Sequence, residues 1–154
     1  MSTFTNLTYH VIFSTKYRRD SVVGQFREEL YAYIGGIIRG EKGHVIEIGG
    51  MPDHIHILTG FSPTIAVSDM LRRIKAKSSK WANAEKNLAA RFEWQSGYGA
   101  FTVSQSQIPA VRKYIREQEE HHRHRTFKDE FVDMLERHGI EFDPQYVFER
   151  EHVG

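Results

Sequence analysis

The first clear pattern along the chain is an alternation of apolar and polar positions over residues 7–15, LTYHVIFST. Tyr9, Val11 and Phe13 fall on one side, and His10 falls on the other. This alternation predicts a strand with one clearly apolar face.

Residues 24–43 change to helical spacing, with apolar side chains recurring every three or four positions. Gly40 and Gly43 are expected to end this helix. Two short strand-like segments, 44–50 and 53–60, then flank the sequence GGMP, and a glycine–proline connection of this length is typical of an antiparallel hairpin.

The second half of the chain predicts a long helix with an apolar stripe from Val67 to Trp81, and then a strand over residues 97–104. Two further helices are expected over residues 106–124 and 126–139, the second with Thr126 as its N-cap. The remaining residues are predicted to form a docked tail.

This order, β-α-β-β-α-β followed by two helices, is the split βαβ pattern. We therefore expect an α+β protein with a ferredoxin-like antiparallel sheet, helices on one face of the sheet, and additional C-terminal helices. The chain shows no repeat and no linker, so a single domain over residues 1–154 is expected.

Composition narrows the possible chemistry. The chain contains no cysteine, which excludes disulfides, thiolate zinc sites and a thiol nucleophile. The formal net charge of +1 indicates no partner by itself. No apolar run approaches the roughly 20 residues of a membrane span, and no signal peptide is evident, so we expect a cytoplasmic protein without a membrane partner.

Two histidines interrupt the apolar segment MPDHIHILTG. On a strand, His54 and His56 point to the same face, while Ile55 and Ile57 point to the other. Paired imidazoles can share a metal ion, but hydrogen-bonded histidines of a sheet are the more common case. The spacing alone leaves both interpretations open, because two imidazoles do not complete a coordination shell.

A second pair of residues has matching chemistry. Tyr114 and Gln118 lie four positions apart in a predicted helix and therefore share one of its faces. A phenol can attack phosphorus, and an amide oxygen can bind a hard cation. Both residue types are also common on amphipathic helices without any chemical role.

Several segments, in matching order, resemble the single-tyrosine HUH transposases of small bacterial insertion sequences, where HUH denotes two histidines around a hydrophobic residue. These segments are PDHIHIL, VSDMLRRIKAKSSKW, FEWQSGYGAFTVS, VRKYIREQEEHH and DPQYVF. The resemblance extends from about Tyr9 to Phe148, and such families include domesticated relatives that act on repetitive palindromic DNA.

The resemblance implies a mechanism. His54, His56 and Gln118 would hold a divalent ion, Mg²⁺ or Mn²⁺, and Tyr114 would be the catalytic nucleophile. Tyr114 would cleave single-stranded DNA at hairpin-bearing ends, form a 5′-phosphotyrosine and allow rejoining. The resemblance also implies a homodimer, and the sequence leaves open whether Tyr114 acts in its own subunit or in the partner.

Basic residues form two clusters that are either solvated surface or contacts to DNA phosphates. With the resemblance, they become candidate DNA-binding residues: Lys16, Arg18, Arg19, Arg72, Arg73, Lys75, Lys77 and Lys80.

Further histidines surround these motifs in the sequence. His10 is a candidate for supporting the metal-binding histidines, because the first and third strands of a split βαβ sheet are neighbours, although a plain structural role is the more common one. The run HHRHR, residues 121–125, is interpreted as a helix end complementing the helix dipole rather than as a metal site.

Two other functions remain as alternatives. An RRM-like nucleic-acid-binding module uses the same sheet, but the chain has no aromatic-rich RNP-like strand. A HUH replication or conjugation nickase would share the chemistry, but those chains are usually longer and place the histidines differently relative to the tyrosine.

Overall fold

Four antiparallel strands form a single sheet in the spatial order β2-β3-β1-β4. The computed structural model describes residues 1–148. The strands are β1 (Thr8–Ser14), β2 (His44–Met51), β3 (His54–Gly60) and β4 (Gly99–Thr102). This strand order is that of the ferredoxin-like sheet, which confirms the predicted fold class.

Helices cover both faces of the sheet. The first layer contains α1 (Gly24–Gly40) and α2 (Val67–Glu85). The opposite layer contains α3 (Ile108–Arg116), α4 (Gln118–His121) and α5 (Phe127–Arg137). Short 3-10 turns lie at Lys16–Arg18 and Gln105–Gln107. Within residues 1–148, no helix is both long enough and apolar enough to cross a membrane.

The two layers enclose separate hydrophobic cores. Val11 and Phe13 of β1 pack with Ile55 and Ile57 of β3 beneath α1 and α2. The second core contains Ile12, Phe101, Phe127 and Leu135. The side of β1 that looked less apolar in the sequence is therefore also buried, because the C-terminal helices cover it.

The predicted helix over residues 106–124 is not continuous. It begins only at Ile108 and is interrupted at Glu117, whose backbone (φ −99°, ψ 26°) leaves the helical region. A one-residue interruption does not disturb the hydrophobic periodicity, so the sequence pattern could not show it. The predicted strand over residues 97–104 is also shorter than expected and comprises Gly99–Thr102.

The position of α3 depends on a close approach to β2. A Cβ atom on Gly49 would lie 2.8 Å from the carbonyl oxygen of Ile115. That distance is closer than a side chain tolerates, so only glycine allows α3 to approach the sheet this closely. Gly49 therefore helps to place Tyr114, the neighbour of Ile115, over the strand that carries the histidine pair.

The tail contributes to the second core as predicted. Phe142, Val147 and Phe148 pack against it, and the Phe148 ring lies 5.7 Å from that of Phe127. The predicted tail extends to residue 154, and residues 149–154 lie outside the described part of the chain. Packing of the tail holds α5 against the sheet.

Candidate active site

The histidine pair projects from β3 into the layer that contains α3, α4 and α5. His54 and His56 are both fully buried, and their neighbours Ile55 and Ile57 point into the first core. The alternation of a strand thus produces the predicted separation of imidazoles from apolar side chains. Burial of two imidazoles requires partners for all of their ring nitrogens.

Hydrogen bonds orient both imidazoles. Asp53 Oδ1 lies 2.7 Å from His54 Nδ1, and since a carboxylate can only accept, this nitrogen carries a proton. His10 Nε2 lies 2.8 Å from His56 Nδ1. In both His54 and His56, Nδ1 is held by a hydrogen bond, and Nε2 points toward α4 and α5. His10 is therefore in contact with the histidine pair, as strand adjacency suggested.

Tyr114 and Gln118 reach the same centre although the helix is interrupted between them. Gln118 Oε1 lies 3.2 Å from His54 Nε2. The ring centroid of Tyr114 lies 5.9 Å from that of His56. The structure thus brings together the predicted nucleophile and the predicted metal ligands within one chain.

Glu130, which no sequence motif singled out, lies at the middle of this cluster. Its carboxylate is 1% exposed, and Oε1 lies 3.0 Å from His56 Nε2 and 3.4 Å from His54 Nε2. The other oxygen, Oε2, accepts hydrogen bonds from the Tyr114 hydroxyl and, at 3.2 Å, from Gln118 Nε2.

A signal for Glu130 was present in the sequence. The predicted apolar stripe of the last helix consists of Phe127, Phe131, Met134 and Leu135. Glu130 lies three positions after Phe127 and four before Met134, so it falls within that stripe. A carboxylate at a buried helical position needs partners, which makes it a candidate for a site.

His122 is the second residue that the sequence argument did not assign to the site. Its Nε2 lies 3.2 Å from Glu130 Oε1. The ligand atoms of His54, His122 and Glu130 all lie within 4.8 Å of one another, so this cluster could hold a metal ion. The interpretation of residues 121–125 as only a helix end therefore needs correction at His122, because the chain turns back onto the sheet there.

Electrostatics at the site are dominated by Glu130. Burial by itself would raise the pKa of its carboxyl group, but the imidazoles of His122, His54 and His56 outweigh burial and hold this pKa far below its usual range. Glu130 is consequently a buried anion. Such an anion is stable only beside positive charge or strong donors.

The neighbours of Glu130 respond in different directions. Burial opposes the charged form of His54, but Asp53 and Glu130 raise its pKa to about 9. Burial lowers the pKa of His56 and of His10. Burial, together with the charge of Glu130, raises the pKa of Tyr114. Without a cation, the centre therefore favours a protonated His54 and a neutral phenol.

The candidate DNA-binding residues do not form one surface. On α2, Arg73 Nη1 lies 2.7 Å from Glu41 Oε2, on the side of α1. Lys75 Nζ donates to the carbonyl oxygens of Gln95, at 2.8 Å, and Gly97, and burial lowers its pKa to about 8. Lys75 thus holds the segment that leads into β4.

Other members of the basic set remain near solvent. Lys77 Nζ lies 3.9 Å from Glu41 Oε1, also on the side of α1. Arg72 and Lys80 line a groove of about 890 Å³ between α2 and residues 91–98, although Arg72 also pairs with Asp69 at 2.9 Å.

The basic loop after β1 packs on aromatic rings. Lys16 and Arg19 lie near the Tyr17 ring, and the Arg18 guanidinium lies 4.8 Å from the centre of the Phe148 ring. Lys16 Nζ is also 3.9 Å from Glu93 Oε2.

The sheet, the paired imidazoles and the tyrosine together are the features of HUH strand-transfer enzymes, and comparison with solved structures agrees on the fold. A REP-associated tyrosine transposase bound to a REP hairpin superposes with a TM-score of 0.59, covering 79% of this chain and 74% of that one. At 16% identity this likeness concerns the fold alone.

Sequence comparisons identify the family. The model of the IS200-like transposases matches residues 3–118. The ISDra2 transposase TnpA of Deinococcus radiodurans is 29% identical over 117 residues, which cover 73% of this chain and 84% of that protein. The IS200 transposase of Salmonella typhimurium is 27% identical over 118 residues, covering 73% and 77%.

The chain therefore belongs to the IS200-like transposase family, a family of DNA strand cleavage and transfer enzymes. The resemblance found in the sequence is confirmed, and an enzyme is favoured over the alternative of an RRM-like binding module without catalysis.

Proposed function

We propose that this protein cleaves and rejoins single-stranded DNA at hairpin-bearing ends, with Tyr114 as the nucleophile and Mg²⁺ or Mn²⁺ as the cofactor. The observation that carries the proposal is the convergence of the Tyr114 hydroxyl, two imidazole Nε2 atoms, an amide oxygen and a buried carboxylate in one centre. Nitrogen and oxygen donors of this kind suit a divalent cation of the Mg²⁺ or Mn²⁺ class.

The proposed chemical step exchanges one phosphate ester bond for another. The Tyr114 oxygen forms a bond to phosphorus while the bond from phosphorus to the 3′-oxygen breaks. The phenol loses one proton and the leaving 3′-oxygen gains one, so no water or external energy source is consumed. The phosphotyrosine retains the ester, which a different 3′-hydroxyl then attacks to rejoin the DNA.

The residues of the chain divide this work. Gln118, His54 and His56 would hold the cation, while Asp53 and His10 fix the ring orientation of the two histidines. When bound, the cation supplies positive charge that offsets Glu130, favours the phenolate of Tyr114 and withdraws charge from a phosphate oxygen.

The scissile phosphate would approach Tyr114 through the cavity beside α3. Tyr114 lines a cavity of about 730 Å³ between α3, α5 and the end of β4, together with Arg125 and Arg137. This volume is within the range of nucleotide-sized ligand sites. Asp133, which also lines the cavity, pairs with both guanidinium groups, at 3.5 Å from Arg125 Nη2 and 2.9 Å from Arg137 Nε. The two arginines therefore add one net positive charge near the path of a DNA backbone.

Metal removal tests the proposed reaction. A single-stranded hairpin oligonucleotide incubated with the protein and Mn²⁺ is expected to give a denaturation-resistant protein–DNA adduct together with a free 3′-hydroxyl fragment. Excess EDTA should abolish both products, and added Mn²⁺ should restore them. Denaturing gel electrophoresis with 5′- and 3′-labelled DNA measures each product. An equal amount of adduct in EDTA would contradict metal dependence.

We further propose that the groove beside α2 contacts the DNA backbone through Arg72 and Lys80. Replacing both residues with alanine removes two cations from the groove and is expected to weaken hairpin binding, with the salt dependence of binding reduced by about one unit of slope per residue. The replacement Arg39→Ala, at an exposed position near the end of α1, is the matched control. Fluorescence anisotropy at several salt concentrations checks this, and an unchanged slope in the double variant would remove the groove from the DNA path.

A further inference from the structure

The three metal ligands implied by the family resemblance are not the only donor groups at the centre. His54, His56 and Gln118 lie within residues 3–118, where the family model matches. Glu130 and His122 lie beyond that match, yet both converge on the same centre. The role of these two residues rests on the proposed function above and extends it.

His122 presents a lone pair to the centre. Its Nδ1 lies 2.9 Å from the carbonyl oxygen of Arg125, and a carbonyl can only accept, so Nδ1 carries the proton of the neutral ring. Nε2 is then an acceptor. This atom is buried and makes no hydrogen bond within residues 1–148, although Glu130 Oε1 lies only 3.2 Å away.

Hydrogen bonds also locate the protons of His54. Asp53 holds one proton on Nδ1, so the second proton of the charged ring lies on Nε2, which faces Gln118 Oε1 at 3.2 Å and Glu130 Oε1 at 3.4 Å. In the absence of a metal, this proton is the positive charge among these oxygens, and a cation bound in its place would displace it and leave the Nε2 lone pair as a ligand. The cation then supplies positive charge to all of these donor atoms at once.

Glu130 has two oxygens with different surroundings. Oε1 faces the Nε2 atoms of His54, His56 and His122, whereas Oε2 accepts from the Tyr114 hydroxyl. We propose that Glu130 and His122 are additional metal ligands of this protein, and that Glu130 also anchors Tyr114 through its second oxygen.

The helix α5 holds Glu130 rigidly in this position. Thr126 caps the helix by accepting from the Asp129 backbone N–H at 3.2 Å. The Phe127 ring stacks on His54 with a centroid distance of 4.2 Å. A carboxylate one turn later is thus fixed over the histidine pair.

The extended ligand set has a consequence for metal selection. Imidazole nitrogens bind Mn²⁺ more readily than Mg²⁺, which prefers oxygen ligands and retains its waters. A site with His54, His56 and His122 beside a single carboxylate and an amide oxygen should therefore select Mn²⁺ over Mg²⁺.

Metal titration tests the ligand assignment. Mn²⁺ binding to the full-length protein is measured by electron paramagnetic resonance of free Mn²⁺, with Mg²⁺ as competitor. Glu130→Gln keeps the size of the side chain and removes its charge, and it is expected to weaken Mn²⁺ binding at least ~10-fold. His122→Ala should weaken binding in the same direction. Glu136→Gln, at an exposed position of α5, is the matched control and should bind as wild type does.

Adduct formation tests the anchoring role separately. At saturating Mn²⁺, Glu130→Gln should still form adduct at least ~10-fold more slowly than wild type, because an amide is a weaker acceptor for the Tyr114 hydroxyl than a carboxylate. His122→Ala should recover most of its rate. Full recovery of Glu130→Gln by Mn²⁺ would overturn the anchoring role.

The outcomes separate this inference from the proposed function. If His56→Ala loses Mn²⁺ while Glu130→Gln and His122→Ala bind it as wild type does, the additional ligands are disproved and the proposed function stands. Circular dichroism establishes that each variant folds. If Glu130→Gln does not fold, the ligand assignment is decided by His122→Ala, and unchanged Mn²⁺ affinity in that variant overturns it.

Discussion

A Tyr114→Phe variant is expected to form no covalent adduct with hairpin DNA, and its strand cleavage should fall by a factor of at least ~10³. The replacement removes the hydroxyl that donates a hydrogen bond to Glu130, on a ring whose centroid lies 5.9 Å from that of His56. Denaturing gels of labelled DNA, followed by mass spectrometry of the adduct in wild type, measure both quantities.

The fold should survive this change with a modest loss of stability. Phenylalanine leaves the buried Glu130 without one donor, which costs about 1–3 kcal/mol in the free energy of unfolding. Tyr33→Phe is the matched control, because the Tyr33 ring stacks on Trp81 in the α1–α2 layer with a centroid distance of 4.4 Å, away from the site. An adduct in Tyr114→Phe as abundant as in wild type would assign the nucleophile to another residue.

The second large effect concerns which subunit supplies the tyrosine. Within one chain, Glu130 contacts both other groups of the site. Its Oε1 lies 3.0 Å from His56 Nε2, and its Oε2 accepts a hydrogen bond from the Tyr114 hydroxyl. We therefore expect that mixing Tyr114→Phe with His56→Ala, each inactive alone, restores no cleavage. If each site is built within one chain, every site in a mixed dimer still lacks either Tyr114 or His56. Exchange of subunits between the two variants therefore produces no complete site.

Mixtures of wild-type protein with either variant provide the control. Their cleavage activity should be proportional to the fraction of wild-type protein. Cleavage by the mixed variants well above either variant alone would instead place Tyr114 in the partner's site. The homodimer implied by the family resemblance remains a prediction that light scattering measures independently, because a dimer can contain two complete sites.

The fold was more predictable from the sequence than the complete set of site residues. Strand and helix periodicities predicted the order of elements, and the split βαβ pattern then predicted the strand order, because few topologies connect these elements. That topology makes β1 and β3 neighbours, and the structure pairs Ser14 with His54 and Ile12 with His56. The same adjacency suggested contact between His10 and the histidine pair, which the structure places at 2.8 Å.

Local features were less predictable. The interruption at Glu117 leaves the hydrophobic pattern intact, since one non-helical residue shifts the following side chains only slightly. The basic residues of α2 looked like one cluster in the sequence, but α1 and residues 95–97 occupy two sides of this helix. Lys75 and Arg73 are therefore engaged with protein atoms, whereas Lys80 lines the groove.

The sequence by itself determined the strand that carries His54 and His56, and the family resemblance indicated Tyr114 and Gln118. Both conclusions depend only on residue spacing and on the order of motifs along the chain. Only the tertiary structure decided that Glu130 and His122 join them. Their distance from the histidine pair in the sequence is bridged by packing of α5 and the tail onto the second face of the sheet. That long-range packing buries a carboxylate among three imidazoles. Spacing along the chain indicates that Glu130 is buried, but it does not reveal these partners.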